Sequence, residues 1–155
     1  MIRYIIGQSG SGKTTFARTF LPEPLTVRKD ITWITEAADG TIGIGKYGIG
    51  IRTEGTDTLP YNAQEAIKAQ IKALSGKNIV IEGDRATNKN IADFLLKNGY
   101  SVKMYLVRCP LAVSMDRLRK AGSSITVTFV KTTRTKAERL FLHYNKYFDG
   151  EVIRT

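Results

Sequence analysis

A three-layer α/β fold, a parallel sheet with helices on both faces, is the fold class that the sequence predicts. Apolar β-type runs alternate with helical patterns along the chain, which is the pattern of a parallel sheet joined by helical crossovers. The first apolar run leads directly into a glycine-rich loop that opens a helix. At 155 residues, 42% hydrophobic and 25% charged, the chain can build one core but not two, so residues 1–155 read as a single domain without repeats.

The elements follow in order. Arg3 to Ile6 is the first strand and Lys13 to Phe20 the first helix, closed by Pro22 and Pro24. Leu25 to Arg28 is predicted as a second strand. From Ile31 to Ile51, β-branched residues are punctuated by Asp39-Gly40, Gly43, Gly45, Gly48 and Gly50, which predicts a hairpin or two irregular strands inserted beside the site, over about 31–58. Pro60 to Leu74 carries Ala63, Ala66, Ile67, Gln70, Ile71 and Leu74 at helical spacing, and Asn78 to Glu82 is a buried strand. Asn88 to Asn98 is a helix ended by Gly99, and Val102 to Val107 a strand. Pro110 opens a helix through Arg119, because proline suits a first helical turn. Thr128 to Tyr147 is helical with a polar break expected near Thr132-Thr133, and Val152-Ile153 is a short last strand.

Composition narrows the chemistry. Cys109 and His143 are each the sole residue of their type, so neither an internal disulfide nor a Cys/His metal cage can form, and any metal must take oxygen ligands. No apolar run approaches the roughly 20 residues of a membrane helix, and the first strand leaves no room for a signal peptide, so a cytoplasmic protein with no membrane partner is expected. Lys and Arg total 24 against 14 Asp and Glu, a formal charge of +10. Such a surplus favours a polyanionic partner, without separating nucleic acid from nucleotide.

Gly7-Gln8-Ser9-Gly10-Ser11-Gly12-Lys13-Thr14 matches G-x-x-x-x-G-K-[ST] in full, between a strand and a helix. That loop turns backbone N–H groups of Gly7, Ser9, Gly10, Ser11 and Gly12 around phosphate oxygens, Lys13 reaches the β- and γ-phosphates, and Thr14 supplies a hydroxyl to Mg²⁺, with Thr15 following on the helix. Glu82 ends a buried strand where an acid faces the metal shell, so ATP and Mg²⁺ are the expected cofactors and Thr14 and Glu82 the metal-side residues. Asp84 and Arg85, on the same loop, are candidates for contacting the acceptor or orienting Glu82.

Phosphoryl transfer spreads charge over oxygens, so arginines that close over the nucleotide are expected; Arg117, Arg119 and Arg134 flank Gly122-Ser123-Ser124, in a lid over about 117–136. The acceptor hydroxyl needs a base or positioning group. Asp30, after the second strand, and Asp57, in Glu54-Gly55-Thr56-Asp57-Thr58, are the two candidates. Lys46 and Tyr47, flanked by Gly45 and Gly48, pair a cation with an aromatic ring as a phosphate plus a stacked base would require, and Trp33 is a further stacking candidate. Basic residues recur at Lys46, Arg52, Lys131, Arg134, Lys136 and Arg139, beside the acceptor and lid segments.

Taken together, the phosphate loop, Gly45-Lys46-Tyr47-Gly48, Gly55-Thr56-Asp57, Ile81-Glu82-Gly83-Asp84-Arg85 and Arg134-Thr135-Lys136 resemble small phage-type P-loop kinases over almost the whole chain. The named family that the pattern resembles is the 5-hydroxymethyluracil DNA kinases. The resemblance implies an adenylate-kinase-like core with a lid, Asp57 as an acceptor-side residue, transfer to the hydroxymethyl group of a modified pyrimidine in DNA, and a host cytoplasm as the setting for a phage-encoded enzyme. Polynucleotide 5′-hydroxyl kinases share the loop and an acid after the second strand, which Asp30 imitates. A kinase of nucleotides, nucleosides or small metabolites, and a nucleic-acid-binding ATPase or switch, are the other readings.

Overall fold

The computed structural model describes residues 1–48 and 53–155. Seven strands form one sheet, β1 (Ile2–Gly7), β2 (Thr26–Lys29), β3 (Trp33–Glu36), β4 (Ile42–Ile44), β5 (Ile79–Glu82), β6 (Val102–Arg108) and β7 (Gly150–Arg154), in the order β2-β3-β4-β5-β1-β6-β7. Strands β4, β5, β1, β6 and β7 run parallel, while β2 and β3 form an antiparallel extension on the β4 edge. Among the described residues the α-helices are α1 (Lys13–Arg18), α2 (Gln64–Ala73), α3 (Lys89–Lys97), α4 (Leu111–Lys120) and α5 (Val127–Tyr144).

The central strands are apolar on both faces because helices cover both. Tyr4, Ile6, Ile81 and Met104 point into one core with Ile67 and Ile71 of α2, Ile91 of α3 and Leu140 of α5. Their neighbours Ile5, Val80, Tyr105 and Val107 point the other way, against Ala17 and Phe16 of α1. This alternation is the period-2 pattern of a strand expressed twice, and it yields three layers. Each isoleucine buried in this way contributes about 1.5–3 kcal/mol.

Helix starts are marked chemically. Asn88 accepts from the Ile91 N–H at 2.9 Å and Thr126 from the Phe129 N–H at 3.2 Å, caps worth about 1 kcal/mol each. The break expected near Thr132-Thr133 does not occur, and α5 runs unbroken. The hydroxyls of Thr132 and Thr133 donate back to the carbonyls of Thr128 and Val130, so these polar residues are satisfied inside the helix.

The β segment over 31–58 joins the main sheet: β3 and β4 lie beside β5, with Ile42 and Gly43 registered on Ile79 and Val80. Gly50 and Ile51 of that segment, like Arg52, lie outside the described residues. The span 117–136 comprises the end of α4, a short connection and the first half of α5, whose Val130 and Thr133 are buried. Among the described residues no helix is long and apolar enough to cross a membrane.

Candidate active site

The site lies at the carboxyl ends of β1, β5 and β4, where parallel α/β sheets bind ligands. Strand β1 delivers Gly7 and the loop to Gly12, which caps α1 in a left-handed conformation with φ 93°. The loop is held from behind. Gln8, 2% exposed, donates to the Ser114 hydroxyl at 2.7 Å and to the Cys109 carbonyl at 3.2 Å, tying the loop to α4 and to the end of β6. Thr133 on α5 accepts from the Ser9 N–H at 3.0 Å, and the Lys13 ammonium donates to the Gln8 carbonyl at 2.9 Å.

Ser11 is the exception to this satisfaction. Its hydroxyl is buried and, among the described side chains, is the one buried polar atom with no hydrogen-bond partner. An orphaned hydroxyl inside a loop of N–H donors fits a phosphate-bearing ligand, because a bound phosphate oxygen would supply the missing partner.

Glu82 ends β5 opposite Ile5 and is 2% exposed. Thr14 donates its hydroxyl to Glu82 Oε1 at 3.1 Å, and the Tyr47 hydroxyl stands 3.5 Å from the same oxygen. Burial is the main influence on Glu82, pushing its pKa up to about 7; nearby Lys13 opposes this, Asp57 and Glu54 reinforce it, and the Thr14 hydroxyl opposes it. Among the described residues no three His, Cys, Asp or Glu side chains are placed to hold a metal ion together, so a divalent cation here would take Thr14, Glu82 and phosphate or water oxygens. The hard-oxygen pair of Thr14 and Glu82 fits Mg²⁺.

The side of the site next to Glu82 is built by the turn after β4. Gly45, at φ 97°, runs so close to the turn that a Cβ there would sit 1.8 Å from the Gly55 carbonyl oxygen, and a Cβ on Gly55 would sit 2.3 Å from Glu82 Oε1. A 3₁₀ turn, Thr56–Thr58, follows, and the Thr56 hydroxyl donates to the Glu82 carbonyl at 2.9 Å. Asp57 is thereby carried to the site. Its Oδ1 accepts from the Asp84 N–H at 2.7 Å and lies 3.8 Å from Arg85 Nη1.

Asp57 lines two hollows. One, of about 400 Å³, also contains Thr14, Thr15, Arg18 and Glu54. The other, of about 560 Å³, runs past Ser9, Asp84 and Arg85 to Tyr61, Ile125 and Phe129. Tyr61 is 85% and Phe129 45% exposed, and the Arg85 guanidinium stacks 3.9 Å above the Tyr61 ring. Exposed aromatics facing a cleft supply a surface for a planar group.

The structure does not bring every candidate together. Tyr47 is fully buried in the α1-side core, so its ring is not a stacking platform; its hydroxyl faces Glu82 instead. Lys46 does stand beside an aromatic ring, but the ring is that of Trp33, 4.1 Å from Nζ to centroid. Asp30 follows β2, three strands from β5, roughly 14 Å across the sheet, and accepts from Gln70 Nε2 at 3.0 Å. The physical reason is strand order: the strand beside β5 is β4, so the acid that follows it is Asp57.

The arginines divide. Arg117 Nη1 reaches the Gly10 carbonyl at 3.4 Å and the Thr155 hydroxyl at 3.1 Å, and Thr155 in turn donates to the Ser11 carbonyl at 2.7 Å. Arg117 also lines a hollow of about 270 Å³ with Gly10, Gly12, Lys13 and Thr15. Arg134 is tied to Glu138 at 3.2 Å, an acid shared with Arg108, and faces a neighbouring hollow beside Cys109 and Pro110. Arg119 is exposed near the end of α4. Glu54, which pairs with Arg18 at 2.8 Å and accepts from the Gly48 N–H at 3.1 Å, has no role in the sequence-based reading, and neither do Tyr61 and Phe129. The position of Tyr61 just after Pro60, ahead of a helix, was the available signal.

No family model matches the chain, and no curated protein matches it. Solved structures do. It is similar to the structure of deoxyadenosine kinase from M. mycoides with bound dCTP, at TM-score 0.51 and 16% identity, covering 99% of this chain and 90% of that one. The same kinase with products dCMP and a flexible dCDP aligns at TM-score 0.53 and 13% identity over 99% and 90% of the two chains. With bound dATP it aligns at TM-score 0.51 and 13% identity, over 99% and 91%. At this identity the likeness shows the fold: a mixed α/β P-loop architecture with a largely parallel seven-stranded sheet.

Proposed function

We propose that the chain is an ATP-dependent kinase that phosphorylates a hydroxyl on a nucleoside-type acceptor. The observation that carries this reading is the position of Asp57, whose carboxyl lines both the hollow beside Thr14 and the aromatic-walled hollow beside Tyr61 and Phe129. An acceptor base against the aromatic wall would hold its hydroxyl between Asp57 and the phosphate loop. The nucleotides bound by the M. mycoides kinase support a nucleoside-type acceptor here.

In this reading the acceptor oxygen forms a bond to the γ-phosphorus, the bond from that phosphorus to the ADP oxygen breaks, and the hydroxyl proton passes to the Asp57 carboxylate. Lys13, the loop N–H groups and the Ser11 hydroxyl hold the phosphate oxygens, and Arg117 is the arginine nearest the loop carbonyls. Mg²⁺, held by Thr14 and Glu82, would neutralise charge on the β- and γ-oxygens. Glu54 anchors Arg18 at the mouth of the same hollow.

The finer reading, transfer to the hydroxymethyl group of hydroxymethyluracil within DNA, is favoured by the +10 charge, which a free-nucleoside acceptor does not require. Incubation with γ-labelled ATP and a panel of free nucleosides, unmodified DNA, hydroxymethyluracil DNA and 5′-hydroxyl oligonucleotides distinguishes the acceptors. Label on a nucleoside, free or in a strand, is the expected result. Release of free phosphate alone, with no labelled acceptor, would replace the kinase by an ATPase or switch.

A further inference from the structure

Outside the phosphate loop, α3 and α5 leave between them a groove of about 720 Å³. Its walls carry Lys89 at the start of α3 and Lys131, Lys136, Arg139 and His143 along α5. Among the described residues Lys136 has an acidic partner, Asp84 at 3.0 Å, whereas Lys89, Lys131 and Arg139 form no ion pair. Lys131 and Arg139 are eight positions apart, two turns and roughly 12 Å along one helix face. Between the cations the lining is Leu140, Tyr144 and threonine side chains, which offers apolar surface below a charged rim.

The groove adjoins the proposed acceptor hollow. Thr128 lines the groove while its neighbours Thr126 and Phe129 line the hollow, and Lys136 bonds Asp84, which lines the hollow too. Cations spaced over two helical turns outreach a single phosphate group. Their spacing suits a repeating anion, and the apolar floor suits sugars and bases between successive charges.

We propose that this groove is the backbone track of a polynucleotide strand, which presents one nucleoside to the hollow beside Asp57. The ligand class follows from the groove's own residues; its link to phosphoryl transfer rests on the kinase reading above.

The test uses the full chain and a short, unmodified, fluorescently labelled DNA strand, so that binding is read without turnover. Binding constants are measured over a salt series for the wild type, for K131Q/R139Q, and for K77Q/K120Q as a control with the same charge loss away from the groove. The expected result is a salt slope lower by up to about two in K131Q/R139Q and affinity weaker by about tenfold or more, with K77Q/K120Q unchanged. ATP turnover without DNA should be equal in all three. Equal slopes in wild type and K131Q/R139Q would overturn the proposal, as would an equal loss in K77Q/K120Q or displacement of the strand by polyglutamate at matched charge. Lys13→Ala separates the two readings: it should bind the strand as the wild type does. Should the wild type transfer no phosphate while K131Q/R139Q still loses strand affinity, the kinase reading fails and the track stands.

Discussion

Replacing Glu82 by glutamine removes a buried charge with almost no change of shape, and stability and activity should respond in opposite directions. Burial drives the carboxyl from 4.5 to about 7, so the folded chain holds a proton there that the unfolded chain releases. Stability from this group is therefore fully present below about pH 4.5 and is lost as pH rises through about 7. The displacement corresponds to about 3 kcal/mol, most of it falling between pH 5 and 8. The glutamine amide of E82Q cannot ionise, and it can still meet the Thr14 and Tyr47 hydroxyls. Thermal melts of wild type and E82Q at pH 5 and pH 8, without nucleotide or Mg²⁺, measure the difference. E82Q should gain on the wild type as pH rises, by roughly 6–12 °C at most for a chain of this size. Phosphoryl transfer should fall by at least about a hundredfold, because the metal-side charge is gone. Parallel melting curves at the two pH values would refute the buried-charge argument, and near-normal transfer by E82Q would remove Glu82 from the metal side.

Lys13→Ala should abolish transfer with little effect on melting, since the half-buried ammonium bonds only a loop carbonyl, whereas Asp57→Asn should lower acceptor phosphorylation far more than ATP binding; equal losses of both in Asp57→Asn would place Asp57 on the nucleotide side. Gly45→Ala should destabilise the fold by about 3 kcal/mol or more, through a positive φ and a collision with the Gly55 backbone, and a denaturant midpoint close to wild type would show that the turn can yield.

The buried tyrosine beside Glu82 shows how the fold connects its parts. The Tyr47 N–H donates to the Thr35 hydroxyl at 2.9 Å and the ring lies over Gly43 on β4, so the antiparallel extension β2-β3 buttresses the strand that leads to Asp57. Burial and the neighbouring Glu82 charge raise the phenol's pKa well above its ordinary value, which keeps it a neutral donor toward that carboxyl. The same arrangement makes the hairpin part of the main sheet. Three short strands, β2 to β4, present too little apolar surface to stand alone and gain it by pairing with β5.

What neighbours along the chain encode could be read before any fold was known. The phosphate loop was legible because its eight residues are contiguous and each has a local job, and β5 was legible because Ile79-Val80-Ile81 is an uninterrupted apolar run that ends in Glu82. Helix faces were legible because a period of 3.6 residues is itself a local signal. Which segments meet depended on the folded chain. Strand order moved Asp30 three strands from Glu82 and brought Asp57 beside it, though both acids follow β-type segments in the sequence. Packing took Tyr47 into the core and laid Lys46 over Trp33, where the flanking glycines had pointed to an exposed pair. Tyr61 and Phe129, 68 positions apart, became one wall because α5 crosses back over the sheet. Local pattern records which face of an element is apolar; it does not record which other element that face will cover, and the hollow between Asp57, Tyr61 and Phe129 is made entirely of such meetings.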